Sequence, residues 1–120
     1  MKATSLMKQE CVDKICNFPL TFKQVDKSLN ALLIETRFQF FCKEICLADI
    51  IHYLQKHPNL LDVWKQYSDD KRTTGGFYYR ENYIGSIDHI TFDKTFTSDT
   101  TACAEYILRE ILFWLQIRYE

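Results

Sequence analysis

Residues that break regular structure are scarce: the 120-residue chain holds only three glycines and two prolines, and no repeat, low-complexity tract or flexible linker interrupts it. Strong charge of either sign is also missing. Fifteen Lys/Arg against sixteen Asp/Glu leave a net charge of −1, so nothing in the balance demands nucleic acid or an anionic membrane as partner. Long apolar runs are absent as well. Met1-Lys2 is followed by no uninterrupted apolar core, which argues against a signal peptide and for a cytoplasmic location. The most apolar stretch, Ile107 to Ile117, is broken by Arg109, Glu110 and Gln116, and falls short of the roughly 20 apolar residues of a membrane span. No membrane partner is expected.

Motifs of dedicated chemistry are lacking too. Neither G-x4-G-K-[ST] nor G-x-G-x-x-G occurs, and Gly75-Gly76 after Lys71-Arg72 reads as a turn rather than a phosphate loop. No C-x2-C occurs among the five cysteines. An odd count in a reducing compartment predicts free thiols and no structural disulfide.

What is present is apolar and aromatic: 47% hydrophobic residues and 15% aromatics, enough to fill the core of one domain over residues 1–120. The charge is unevenly spread. Residues 1–60 hold eight Lys/Arg against six Asp/Glu, and residues 61–120 hold seven against ten. An acidic C-terminal half suits a basic partner, and a solvated surface accounts for the same excess.

Apolar spacing predicts the elements. Leu6/Met7, Cys11/Val12 and Ile15/Cys16 mark a first helix over residues 5–17, ended by Asn17 and Pro19. Leu20, Phe22, Val25, Leu29, Leu32 and Leu33 predict a second, from near Thr21 to Glu35 or Thr36. Residues 37–46 fit helix or buried strand, with helix favoured. Leu47 to His57 reads as helix closed by Pro58, which opens the next with Leu60, Leu61, Val63, Trp64 and Tyr67 as its stripe. Ser68 to Gly76 loses its apolar residues and reads as a loop. Phe77 to Ile87 reads as two short strands around a turn at Arg80–Asn82, with Phe77 and Tyr79 on one face and Tyr78 on the other. Residues 88–98 suit a third strand or an irregular segment. Ser98 or Asp99 then caps a last helix with Ala102, Cys103, Tyr106, Ile107, Leu108, Ile111, Leu112, Trp114 and Leu115 as its apolar positions. The fold class is therefore α+β: N-terminal helices, a small antiparallel sheet and a buried C-terminal helix.

Candidate chemistry is thin. Cys42 and Cys46, four apart on a predicted helix face, with His52 and His57 downstream, are the only zinc candidates. Structural zinc prefers compact ligand pairs, and the intervening Leu47, Ile50, Ile51 and Leu54 read as core. Cys103 near a helix start with His89 upstream is the one nucleophile–base pairing, since a helix N-terminus lowers a thiol pKa. Its neighbours Ala102 and Ala104 point instead to close helix packing. Asp69-Asp70 sits on the predicted loop, and sequence alone brings none of Glu81, Asp88 and Asp93 together as a carboxylate pair. No enzyme activity, metal or cofactor is expected. Lys71 and Arg72 with Phe77, Tyr78, Tyr79, Arg80 and Tyr83 offer phosphates and bases some contacts. However, residues 65–99 hold five Lys/Arg and six Asp/Glu, which matches a protein-binding surface better.

The stretch Tyr67-Ser68-Asp69-Asp70-Lys71-Arg72-Thr73-Thr74-Gly75-Gly76-Phe77-Tyr78-Tyr79, then Tyr83-Ile84-Gly85, then Ala102-Cys103-Ala104-Glu105, resembles bacterial toxin-neutralising immunity proteins, in particular those paired with contact-dependent growth inhibition toxins. The resemblance covers roughly the C-terminal half and carries over no functional residue. It implies a cytoplasmic inhibitor that binds a cognate toxin domain, often a nuclease, by stoichiometric contact. The contact surface expected from polarity and placement around the loop and hairpin is Asp69, Asp70, Arg72, Tyr78, Arg80, Glu81, Tyr83, Asp88 and Asp93. The alternative is a small nucleic-acid-associated or regulatory protein using Lys71, Arg72 and Tyr78.

Overall fold

The structure, a computed structural model, describes residues 2–24, 29–41, 43–70, 77–86 and 93–115. Among them run seven helical segments and three strands: α1 (Lys2–Cys16), α2 (Phe18–Gln24), α3 (Leu29–Glu35), α4 (Phe38–Phe41), α5 (Leu47–Lys56), α6 (Asn59–Asp70), β1 (Phe77–Arg80), β2 (Tyr83–Ser86), β3 (Asp93–Thr95) and α7 (Asp99–Trp114). The class is α+β, with an antiparallel sheet of order β1-β2-β3 and a buried C-terminal helix.

Helix α7 is central, its middle buried on every side. Ala102 to Leu108 are all buried, Glu105 included, and α5, α6 and the sheet pack around it. Ala102, Cys103 and Ala104 have no exposed surface, so small side chains set the close approach. Ser98 caps the helix, its hydroxyl accepting from Thr101 N–H at 3.3 Å. From the other elements Ile15, Phe38, Ile50, Leu54, Leu60 and Trp64 complete the core, each stabilising by roughly 1.5–3 kcal/mol when fully buried. Trp64 also donates its indole N–H to the Cys16 carbonyl at 2.9 Å. That carbonyl ends α1 and has no partner within the helix, so the bond satisfies an orphan acceptor in the core.

The boundary between the first two helices differs from the periodicity. Asn17 closes α1 through its N–H to the Asp13 carbonyl and opens α2 by accepting from Leu20 and Thr21. Pro19 therefore sits in the first turn of α2, where its missing N–H costs nothing, rather than terminating a helix. The helix expected from near Thr21 to Glu35 or Thr36 is described in two stretches, α2, which starts earlier at Phe18, and α3, and residues 25–28 lie outside the described residues. Arg37, with φ 62°, ends α3 in the left-handed region.

Helix α5 is fixed at its start by Asp49, which accepts the Cys46 N–H at 2.8 Å and pairs with Lys8 of α1 at 3.2 Å. Partial burial opposes its ionisation, but those partners win and hold the carboxyl below its ordinary value. Farther along, the Tyr53 hydroxyl donates to Asp13 and accepts from Asn17 at 2.8 Å. Burial and the Asp13 carboxylate raise the Tyr53 phenol to about 12.

The segment from Ser68 to Asp70 corrects an expectation. It forms the last turn of α6, not a loop. Ser68 is buried because its hydroxyl accepts the Tyr79 N–H at 2.8 Å, and Asp70 accepts from Gln66 one turn earlier at 2.9 Å. Both bonds give polar side chains a reason to remain helical.

The sheet is held to the helices through Asp99, the first residue of α7. Its carboxylate pairs with Lys65 of α6 at 2.7 Å, accepts the Tyr79 hydroxyl at 2.8 Å and accepts the Asn82 N–H at 2.9 Å. Burial opposes the charge, yet Lys65, Asn82 and Tyr79 hold the carboxyl below its ordinary value. A carboxyl with a lowered folded pKa contributes stability that is complete above the unfolded value of about 3.9 and is lost as pH falls through the folded value. Asp99→Asn is expected to cost about 1–2 kcal/mol at neutral pH and to flatten the loss of stability below about pH 4, read by urea unfolding across pH. Asp49, also held below its ordinary value, contributes to the slope that remains.

Candidate functional site

Pairing register sorts the strand residues onto two faces. Tyr79 lies opposite Ile84, and Ile84 opposite Lys94. Tyr79 and Ile84 have no exposed surface, and this face meets α6 and α7. The Tyr79 ring stacks on Tyr106 at 5.5 Å. Tyr78, Gly85 and Asp93 form one row of the other face, and Arg80, Tyr83 and Thr95 form the next. Arg80, Asp93 and Thr95 are exposed and Tyr78 and Tyr83 are half-buried. No second layer covers this outer face among the described residues. The strand alternation expected from sequence thus holds, with Tyr79 inside and Tyr78 outside.

A tyrosine platform occupies the outer face. The Tyr78 ring lies across Gly85, so a Cβ built there would meet the ring's Cζ at 2.5 Å. From that position the Tyr78 hydroxyl reaches the Tyr83 hydroxyl at 3.4 Å, with ring centroids 5.8 Å apart. The Arg80 guanidinium stands 5.6 Å from the Tyr78 centroid, within cation–π range. The hydroxyl contact with Tyr78, with burial and Asp93 adding to it, raises the Tyr83 phenol to about 12.

Of the nine residues expected to form the contact surface, Tyr78, Arg80, Tyr83 and Asp93 share this face. Glu81 lies at the two-residue turn beside it, exposed, followed by Asn82 with φ 63°, a backbone conformation asparagine tolerates. Asp69 and Asp70 are exposed at the end of α6 and belong to neither strand row. Arg72 and Asp88 lie outside the described residues, as do Lys71, Cys42 and His89.

The edges of the sheet are unlike. In a hairpin with a two-residue turn, Arg80 and Tyr83 exchange backbone bonds, so the N–H and C=O groups of Phe77 and Tyr79 point away from β2. Helix side chains meet them there. Phe77 N–H donates to Glu110 at 3.1 Å, Tyr106 donates to the Phe77 carbonyl at 3.2 Å, and Tyr79 N–H donates to Ser68. Glu110 is only 1% exposed, and it also accepts from the Tyr67 hydroxyl at 3.3 Å. The β1 edge is closed by side chains.

Other candidates resolve differently. The Cys42 half of the zinc candidate lies outside the described residues, and Cys46 is the exposed N-cap of α5. Among the described residues no cluster of His, Cys, Asp and Glu is arranged to hold a metal ion. Cys103 is fully buried, and burial pushes its thiol well above its ordinary value, opposite to the lowering expected near a helix start. A cavity of about 210 Å³ is lined by Lys14, Phe18, Thr21, Glu35 and Thr36. Its buried hydroxyl, that of Thr36, is already bonded to the Leu33 carbonyl and the Phe38 N–H. Among the described residues no helix is long and apolar enough to cross a membrane.

Sequence reasoning passed over Gly85 as a site residue. A glycine inside a strand is the available signal, since it marks a close approach. Gly85→Ala is expected to displace the Tyr78 ring and destabilise by about 1–3 kcal/mol, whereas in a Tyr78→Ala background the same change is expected to be neutral or stabilising. Thermal unfolding of the four proteins of this cycle gives the coupling.

Comparison with protein-family models, curated proteins and solved structures finds no match to this chain.

Proposed function

We propose that the chain is a cytoplasmic immunity-type protein that neutralises a cognate toxin domain, a nuclease by preference, through stoichiometric protein–protein contact. The observation that carries this reading is the gathering of Tyr78, Arg80, Tyr83 and Asp93 on one uncovered sheet face. Tyrosine and arginine dominate interface hot spots. The charges are of mixed sign, with Arg80 beside Glu81 and Asp93, which suits a protein partner better than a phosphate backbone. The Tyr78 ring is engaged by Gly85 and Arg80 and Tyr79 is internal, so neither offers a free face for stacking a base.

Affinity purification of the tagged chain from its own cell lysate, with mass spectrometry, is expected to recover a toxin-domain polypeptide in a one-to-one ratio. Alanine at Tyr78, Arg80, Tyr83 and Asp93 together is expected to weaken that complex by about thirtyfold or more. Unchanged affinity, or recovery of RNA or DNA instead, contradicts the reading and favours the nucleic-acid alternative.

A further inference from the structure

The free edge of the sheet has a chemistry that its outer face does not. Three strands at about 4.8 Å spacing and four residues at about 3.4 Å make a face on the order of 200 Å², well short of the roughly 800 Å² per partner of a standard interface. A partner seated on the tyrosine platform must therefore reach past it. One way is obstructed, because Glu110, Tyr106 and Ser68 occupy three outward backbone groups of β1, the N–H and C=O of Phe77 and the N–H of Tyr79.

Among the described residues nothing covers the opposite way. Ile84 and Lys94 are directly paired, and the Phe96 N–H donates to the Asn82 carbonyl at 2.6 Å. The backbone groups of Lys94 and Phe96 thus point into the sheet, and by alternation those of Asp93 and Thr95 point outward. All three residues of β3 are exposed, and among the described residues nothing bonds those outward groups. Unpaired N–H and C=O groups at strand spacing are a template for one more strand.

We infer that β3 takes an extended segment of the partner protein as a fourth antiparallel strand, bonded to Asp93 and Thr95, with an acidic side chain opposite Lys94. The charge pattern selects this occupant. A second copy paired about Lys94 would set Lys94 against itself, and like charges directly opposite are destabilising. A carboxylate in that place pairs with Lys94, which extends over the Phe96 ring at 4.9 Å. Asp93 joins the edge to the platform, since it shares the row of Tyr78 and Gly85. One segment on the edge thus extends the contact area of the face.

This mode of contact rests on the protein-binding reading above, and its test needs no cognate partner. Two short acetylated valine–threonine peptides, differing only in a central glutamate or lysine, are titrated into the full chain and followed by amide NMR. The glutamate peptide is expected to shift the amides of Asp93 to Phe96 and to bind about threefold to fivefold more tightly than the lysine peptide. Lys94→Glu is expected to reverse that preference. Thr95→Pro is expected to abolish binding with the fold retained, because the Thr95 N–H lies outside the ladder. No edge shifts with either peptide at millimolar concentration, an unreversed preference in Lys94→Glu, or wild-type binding by Thr95→Pro overturns the inference. Edge binding without capture of any toxin polypeptide leaves the inference standing and removes the immunity reading. Capture of a toxin with no edge binding does the opposite.

Discussion

The hairpin is fastened to the helices by side chains that hydrogen-bond its backbone, and the rest of the sheet depends on that fastening. Asp99 holds the turn through the Asn82 N–H and the first strand through the Tyr79 hydroxyl, while Lys65 neutralises it from α6. Ser68, Tyr106 and Glu110 take the Tyr79 N–H and the C=O and N–H of Phe77 on the outward side of β1. A three-stranded sheet of this size buries too little to stand alone. Here burial of Tyr79 and Ile84 against α6 and α7 supplies the apolar term, and these polar contacts set register and angle. Each is costly to break from one side, because a buried donor or acceptor then has no partner.

That arrangement makes the sheet asymmetric in two directions. Its inner face is core and its outer face carries an ordered group of tyrosine, arginine and aspartate. One edge is closed by helix side chains, and the other ends in three exposed residues. Gly85 couples the two halves of the design: without a Cβ it lets the Tyr78 ring lie on the sheet, and this brings the hydroxyls of Tyr78 and Tyr83 together. The same features that stabilise the hairpin from inside therefore order the surface proposed for recognition.

Much of this was legible from residue order alone. The last helix followed from its apolar positions and the Ser98 cap, and the hairpin from its aromatic and branched residues around a polar turn. What periodicity missed were contacts between residues distant in sequence. Ser68 to Asp70 looks like loop because it is polar, yet Ser68 is buried by a bond to Tyr79, eleven residues away. The buried side of the hairpin depends on register against Gly85 and on helices packed elsewhere, so alternation gave the two faces but not their assignment. Asp99 was visible as a candidate cap. Its three partners were not, since they come from α6, β1 and the turn.

Native-state hydrogen exchange, read by NMR at single amides, tests the fastening most directly. With β1 closed by helix side chains and β3 open, the amides of Phe77 and Tyr79 should be protected although they face away from β2, and that of Lys94 should be protected by the ladder. The amides of Asp93 and Thr95 should exchange fast, at rates close to those of an unfolded chain. Fast exchange at Phe77 and Tyr79, or protection at Thr95 equal to that at Lys94, would contradict this view of the sheet.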